Sequence, residues 1–446
     1  MQMAPPQLKP DQRSFGYRVG EFALLYSFYS LALLSTYIVQ LVDANLRNGW
    51  HPWAFSVEGC IGIGIYLPLI IWITARLQGE PSDLFRLFVC AIPLVSLLLL
   101  NSVVGDLPGG AILAGSALLL GPLLLLELLD RLMPAIKGLP LIKPAYIELM
   151  VVGLLLCAVL TGALHAPTSA GFGMNDSFIR RFEGRELYAP SSMRAYTLAI
   201  CMNGLAPYLA FRAVLNRRWP LLALAAAVAF FFFWLIGVKA PSAYVVGACL
   251  LGYLIRKNKL NRVAAYFLYL VIALWVVVVV EWCLFDQYSY IADYVFRRLF
   301  PIQALDQGYY LKFIFSDKTI PWSWLQGALE PGFQATYYIG EHYGGNVKSN
   351  SNTNAFLYAV MAKGIGGYLA AAGFVALFLV VLNRLWASTR NPSYLFLGFL
   401  YGLLVIEQAY TVAMVSSGVG LLFVLILIED VRVKSPDART NMENVL

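Results

Sequence analysis

Apolar runs of about 20 residues recur along almost the whole chain, separated by short polar segments. A run of that length matches the hydrocarbon thickness of a bilayer, and a helix pairs its own backbone groups there. The runs predict spans at 21–42, 57–76, 85–105, 109–129, 146–165, 191–213, 220–238, 242–256, 263–285, 364–382, 394–410 and 412–428. The expected fold is all-α: a polytopic integral membrane protein of about twelve transmembrane helices, forming one membrane domain over 1–446. Only Lys239, Ala240 and Pro241 separate two of these spans, and the last two are almost continuous. Two polar segments, 166–194 and 286–363, exceed what crossing a bilayer requires, so both are read as functional loops. The stretch from Tyr290 to Asn354 is rich in aromatic and polar residues. Segment 353–382 is too long for one span. Lys363 and the glycine-rich run Gly364 to Gly367 predict an interfacial helix, a break and then the true span. That break keeps Lys363 out of mid-bilayer, where its charge would be costly.

Charge supplies the topology. With the N-terminus inside, 20 of the 32 basic residues fall on inner segments, as the positive-inside rule requires. Both termini are therefore expected in the cytoplasm. The first 20 residues are polar and include Lys9, Arg13 and Arg18, so no cleavable signal peptide is expected. Composition agrees: 13% charged residues and a mean hydropathy of +0.69 exclude an ordinary soluble domain, which carries about 25% charged residues. The formal charge of +7 sits mostly in inter-helix loops, so membrane lipid is the expected surrounding and no nucleic acid is expected as a partner. All six cysteines lie in or beside apolar runs without a CxxC pair, which points to neither a metal site nor a disulfide framework. There is no DxD, metal-ligand cluster or P-loop, so neither a metal nor another cofactor is expected.

The basic residues that break the rule are informative. Arg180, Arg181, Arg185 and Arg194 fall in or just after the first polar loop, Lys239 lies in a tight turn, and Arg297 and Arg298 lie in the second loop. Adjacent arginines near span ends suit an anionic, phosphate-bearing ligand at the membrane surface, because guanidinium offers a fixed fork of donors. YVFRRLF follows Tyr288 and Tyr290, and rings beside cations suit a carbohydrate. GEHYGGNVKSNSNTN holds four asparagines and His342, the loop's single histidine and a default general base. Structural explanations compete: helix ion pairs for FIRRFEGRELYAP, snorkelling for Lys239, an interface belt for the tyrosines, and a flexible polar loop for the asparagines.

From about Asp176 to Gly373 the order of these stretches resembles the bacterial O-antigen and oligosaccharide-repeat polymerases, the Wzy family. The similarity rests on RRFEGRELYAP leading to NGLAPYL, on GVKAPSAY, on FRRLFPIQALDQGYYLKFIFSD, on YYIGEHYGG and on SNTNAFLYAVMAKGIGGYLAAAG. Here Pro301 is followed by Ile302, where the family usually shows Pro-Gly. The resemblance implies a GT-C-like, metal-independent glycosyltransferase of the bacterial inner membrane, with its site on the periplasmic face. It would transfer a growing glycan from an undecaprenyl diphosphate donor to a lipid-linked repeat unit, which makes undecaprenyl diphosphate-linked oligosaccharide both donor and acceptor. A chain-length regulator is a further partner the family admits. Carried over, Arg297 and Arg298 act in catalysis with His342 or Glu341 as the base. Arg180, Arg181, Arg185 and Lys239 bind the diphosphate. Tyr309, Tyr310, Asn350, Asn352 and Asn354 line the glycan path.

Two other functions are weighed. An O-antigen ligase-like enzyme, moving glycan to lipid A core or protein, needs the same arginines and the same donor. A lipid-linked oligosaccharide flippase should instead show inverted repeats and polar residues at mid-membrane. No clear repeat is found, and mid-membrane polar residues such as Asn203 and Glu407 are few.

Overall fold

The computed structural model describes residues 14–45, 54, 56–104, 107–139, 141–173, 179–181, 183–184, 193–285, 289–316, 320–328, 334–344 and 350–429. Its elements are almost all helical. Nine helices among the described residues are long and apolar enough to cross a membrane, and the protein is an all-α polytopic membrane protein.

The first helix, α1, runs Phe15–Ser35, capped by the Ser14 hydroxyl, and continues through a π turn at Thr36–Leu41. Helix α2 is Val57–Ala75. Helix α3 comprises Pro81–Val89, a π turn at Cys90–Leu94 and Val95–Val104, and it is almost wholly buried. It is the central post of the bundle. Helices α4 (Ala111–Leu132) and α5 (Pro144–Leu164) follow. Helix α6 joins Met193–Ile200, a π turn at Cys201–Leu205 and Ala206–Asn216. Helix α7 is Trp219–Ile236, and Gly237 ends it in a left-handed conformation that a side chain would resist. Helices α8 (Ala240–Arg256) and α9 (Val263–Phe285) lead into the second polar loop.

Within that loop, a π turn at Ala292–Phe296 runs into Arg297–Leu299 as α10. After a bend at Phe300, α11 spans Pro301–Ser316. A two-stranded hairpin, β1 (Trp322–Ser323) and β2 (Gly327–Ala328), precedes α12 (Ala335–His342). Helix α13, Ala355–Thr389, is interrupted at Lys363 and Gly364, where the glycine-rich run predicts the break. The hairpin fills that break. The Ile365 amide donates to the Trp324 carbonyl (2.7 Å), and the Trp322 indole donates to the Met361 carbonyl (3.0 Å). Backbone groups freed by the kink are thus paired, as an apolar surrounding demands.

The two final predicted spans correspond to three short helices: α14 (Ser393–Val405), α15 (Tyr410–Val415) and α16 (Val419–Leu427). Gly398 packs directly on the backbone of Pro81, which draws α14 against α3. Close approach through small residues is how helices gain packing energy where lipid removes the usual hydrophobic drive.

One end of the bundle is tied by ions. The Arg212 guanidinium pairs with Glu148 (3.2 Å) and Glu429 (2.7 Å), joining α5, α6 and the chain after α16. Asn391 donates to the other Glu429 oxygen, and Arg218 also pairs with Glu148. At the same end Arg18 donates to the Leu77 carbonyl (2.7 Å) and Arg262 pairs with Glu21 (3.2 Å). The two polar loops emerge at the opposite end.

Candidate functional site

Three separate pieces of chain meet at the loop end. The first is the 166–184 segment. Glu183 accepts from the Ser169 amide (3.2 Å) and hydroxyl (2.5 Å), and the Gly171 amide donates to the Trp234 carbonyl (3.0 Å). This seats the segment on the end of α7. Arg181 then donates through Nε to the Gly237 carbonyl (3.3 Å). Arg180 is fully buried, its guanidinium 5.4 Å from the centre of the Phe233 ring. Its Nε and Nη2 have no hydrogen-bond partner among the described residues. A buried guanidinium with two unused donors is costly unless an anion meets it.

The second piece is the turn between α7 and α8, which carries Lys239. The third is the segment after α9. The Ser289 amide donates to Gln40 of α1 (3.1 Å), and its hydroxyl pairs with Glu281. That anchor presents Asp293, Tyr294, Arg297 and Arg298. Arg297 forms an ion pair with Asp293 one turn before it. The Lys239 ammonium lies 4.7 Å from the centre of the Tyr294 ring.

Electrostatics links the pieces. The pKa of Lys239 is lowered, first by burial and then by the charges of Arg181 and Arg298, with Asp293 opposing. Arg298 is likewise lowered by burial and by Arg297, with Asp293 and Tyr294 opposing. Arg181, Lys239 and Arg298 therefore share one neighbourhood although they are far apart in sequence. Asp293, the acid that acts on Lys239 and Arg298, also pairs with Arg297. Clustered cations favour an anion at this point. Beside it, the rings of Tyr290 and Tyr294 stack 6.5 Å apart and both stand exposed.

The remaining candidates are placed as follows. Arg185 lies outside the described residues. Glu341 and His342 are exposed on α12, where the His342 ring stacks on Tyr338 at 5.1 Å. Neither is among the charges that act on Lys239 or Arg298. Tyr309 is half-buried and stacks on Tyr343 (6.1 Å). Asn350 is half-buried with an unpartnered Oδ1 among the described residues, and Asn352 is exposed. Two expectations need correction. Tyr310 is fully buried and its hydroxyl donates to the Ser351 carbonyl (3.1 Å), so its ring is packing and not a surface for sugar. Asn354 is fully buried and its Oδ1 caps α13 by accepting from the Phe356 and Leu357 amides (3.1 and 3.0 Å), so it terminates a helix and lines no groove.

Asp306 is a residue that the sequence pattern does not mark as part of a site. Its carboxylate is hydrogen-bonded to the Ser351 hydroxyl and sits in a crowded but half-open position on α11. Burial pushes its pKa up to about 7, with the Ser351 hydroxyl working against the shift. The half-exposed residues Ile302, Leu305, Asp306, Tyr309 and Lys312 form one open stripe along α11, at helical spacing. Nothing in the local sequence marks Asp306, because its environment comes from Ser351, 45 residues later. Among the described residues no group of three or more His, Cys, Asp or Glu side chains could hold a metal ion.

No family model, curated protein or solved structure matches the chain. Fold and site together define a class: a multi-helix membrane protein with clustered cations and exposed aromatic rings at the loop end of its bundle.

Proposed function

We propose that the chain is a glycosyltransferase of bacterial polysaccharide assembly, working at the periplasmic face of the inner membrane. It moves a growing glycan from undecaprenyl diphosphate to a lipid-linked repeat unit. The observation that carries this reading is the convergence of Arg181, Lys239 and Arg298 from three segments onto one neighbourhood. The donor's diphosphate lies against these cations and against the unused donors of Arg180. As the bond between the anomeric carbon and the diphosphate oxygen breaks, the electron pair stays on the diphosphate. Fixed cations stabilise charge that develops on the leaving group without having to reorganise. The acceptor hydroxyl oxygen forms the new glycosidic bond and gives up its proton. The Tyr290 and Tyr294 rings offer a flat apolar face of the kind that sugar CH groups stack upon.

The GT-C-like arrangement belongs to the same proposal. So does a topology of ten crossings and a final re-entrant hairpin, with both termini in the cytoplasm. Helices α14 and α16 hold 13 and 9 residues, and rise only about 20 and 14 Å. The hydrocarbon core is about 30 Å thick, so neither crosses it alone.

The test is the length of the surface polysaccharide in a host deleted for the gene and complemented with wild type or Arg298→Ala. A ladder that collapses to a single repeat unit on deletion, and returns with wild type but not with the variant, is the expected result. Full-length polymer held on the lipid carrier marks a ligase instead. Repeat units trapped on the cytoplasmic side mark a transporter. Either of these outcomes overturns the proposal.

A further inference from the structure

A glycosyl transfer of this kind leaves a proton on the attacking hydroxyl, and a base must remove it. His342 and Glu341 stand exposed on α12, the histidine ring engaged by Tyr338 and Tyr343. The open stripe of α11, which follows the Arg298 segment directly, offers another group. It begins at Ile302, four residues past Arg298, and passes through Asp306 to Tyr309 and Lys312. Asp306 lies eight residues beyond Arg298. Eight residues of helical rise make about 12 Å, and the path bends at Phe300 between them. A separation of that order leaves room for a diphosphate at the arginine and a sugar ring beyond it.

We propose that Asp306 is the catalytic base that accepts the proton of the acceptor hydroxyl, and that Ser351 positions it. This rests on the transferase reading above. Three observations support it. The Ser351 hydroxyl bonds to one carboxylate oxygen, and the Ser351 carbonyl accepts from the Tyr310 hydroxyl one turn further along α11, so Ser351 is itself held in place beside the carboxylate. The group stays half-open on a helix whose other faces are buried. Its surroundings hold side-chain polar atoms with no partner among the described residues: both of Gln307, next to it in sequence, and Oγ1 of Thr353 and Oδ1 of Asn350, flanking Ser351. Such atoms suit a ligand dense in hydroxyl groups.

The step balances. The acceptor oxygen bonds the anomeric carbon, and the bond from that carbon to the diphosphate breaks with its electron pair. The proton passes to the Asp306 carboxylate, and solvent receives it afterwards. Burial places the Asp306 pKa near neutrality, so it is a stronger base than an ordinary carboxylate yet ionised in useful amount at neutral pH. Tyr310, on the same helix, is the titratable group whose charge couples to Asp306.

The experiment uses the full-length protein in lipid nanodiscs, with lipid-linked repeat units extracted from the deletion host as substrate and undecaprenyl diphosphate as the binding probe. Asp306→Asn is expected to slow transfer by about 100-fold or more while probe binding stays within about twofold. Wild-type transfer rises with pH through about 7, and that limb vanishes in Asp306→Asn. Ser351→Ala moves the limb without removing it. Transfer by Asp306→Asn at the wild-type rate, with Arg298→Ala inactive, overturns the base assignment and leaves the transferase reading standing. Wild type that neither binds the probe nor extends the substrate overturns both. If Asp306→Asn loses probe binding as well, Asp306→Glu decides: a displaced pH limb supports the proposal and an unchanged one overturns it.

Discussion

The ammonium of Lys239 lies 4.7 Å from the centre of the Tyr294 ring, joining the turn after α7 to the segment after α9. A ring face attracts a cation, and here it helps hold a lysine whose other neighbours, Arg181 and Arg298, repel it. A lysine kept among like charges is poised for an anion.

Replacing that lysine therefore tests the anion site. Lys239→Ala should weaken binding of undecaprenyl diphosphate about 10- to 100-fold, given about 1.5–3 kcal/mol for a hydrogen bond to a charged group. The lowered pKa fixes the sign of the pH effect: the ammonium is lost earlier on the alkaline side than for an ordinary lysine at 10.5. Binding should decline in wild type at a pH below the ordinary lysine value of 10.5 and stay flat there in Lys239→Arg. Titration of the probe at several pH values measures both, and identical wild-type and Arg curves would exclude Lys239 from the site.

The two adjacent arginines should separate. Arg297 is ion-paired with Asp293, whereas Arg298 has no ion pair among the described residues. Arg298→Ala should abolish the polysaccharide ladder, and Arg297→Ala should shorten it only. Equal loss in both, read on the same gel, would mean that the pair acts as a unit.

At the opposite end, the Arg212, Glu148 and Glu429 network is buried, with side-chain exposures of 9%, 9% and 0%. Removing one partner leaves a charge uncompensated, which typically costs about 3–5 kcal/mol. Glu429→Ala should accordingly lower the Tm in detergent while leaving probe binding intact in the fraction that remains folded. An unchanged Tm would show that the network does not hold this corner.

Glu80, in the turn before α3, gives a pH-dependent case. Burial first, then Asp83 and Asp130, push its pKa up to about 7, against the pull of Arg86 and Arg384. A carboxyl raised on folding favours the folded state below the unfolded value of 4.5, and that contribution is lost as pH rises through about 7. Glu80→Gln should therefore raise the Tm above pH 7 and leave it unchanged below about pH 4.5. Thermal scans across this window decide it, since a gain of equal size at all pH values has another origin.

Gly364 combines φ +61° and ψ −155° with the Trp324 carbonyl 2.5 Å from where a Cβ would sit. Gly364→Ala should cost about 1–3 kcal/mol and loosen the hairpin. Cysteine labelling at a Leu325→Cys reporter reads that loosening, and labelling rates equal to those of the glycine parent would show that the fit is not needed.

Much of the fold is legible in the sequence because a bilayer imposes one strong length rule. Lys363 and the glycines after it mark the kink of α13, since a charge and a flexible run coincide there. The cations that the structure gathers, Arg181, Lys239 and Arg298, stand out as exceptions to a charge pattern obeyed elsewhere. What the sequence hides depends on tertiary neighbours. Asn354 looks like a polar loop residue until it proves to cap a helix, and Tyr310 looks like its neighbour Tyr309 although one ring is buried and the other half-open. The π turns at Thr36–Leu41 and Ala292–Phe296 leave no mark in hydropathy, yet the second carries Asp293 and Tyr294 into the site. The last two predicted spans correspond to three short helices because apolarity alone does not mark where a helix breaks.

The hairpin of Trp322 to Ala328 completes a helix that its own residues leave unfinished. Its carbonyl takes the amide of Ile365 on one side of the gap, and its indole grips the carbonyl of Met361 on the other. Mechanically it is a splint across a fracture. A bare kink at Gly364 would let the first turns of α13, with Asn354 and the Ser351 segment behind them, swing like a gate above the bundle. Splinted, that half of the helix is tied to the hairpin on both sides of the gap, which favours Ser351 keeping its station against Asp306.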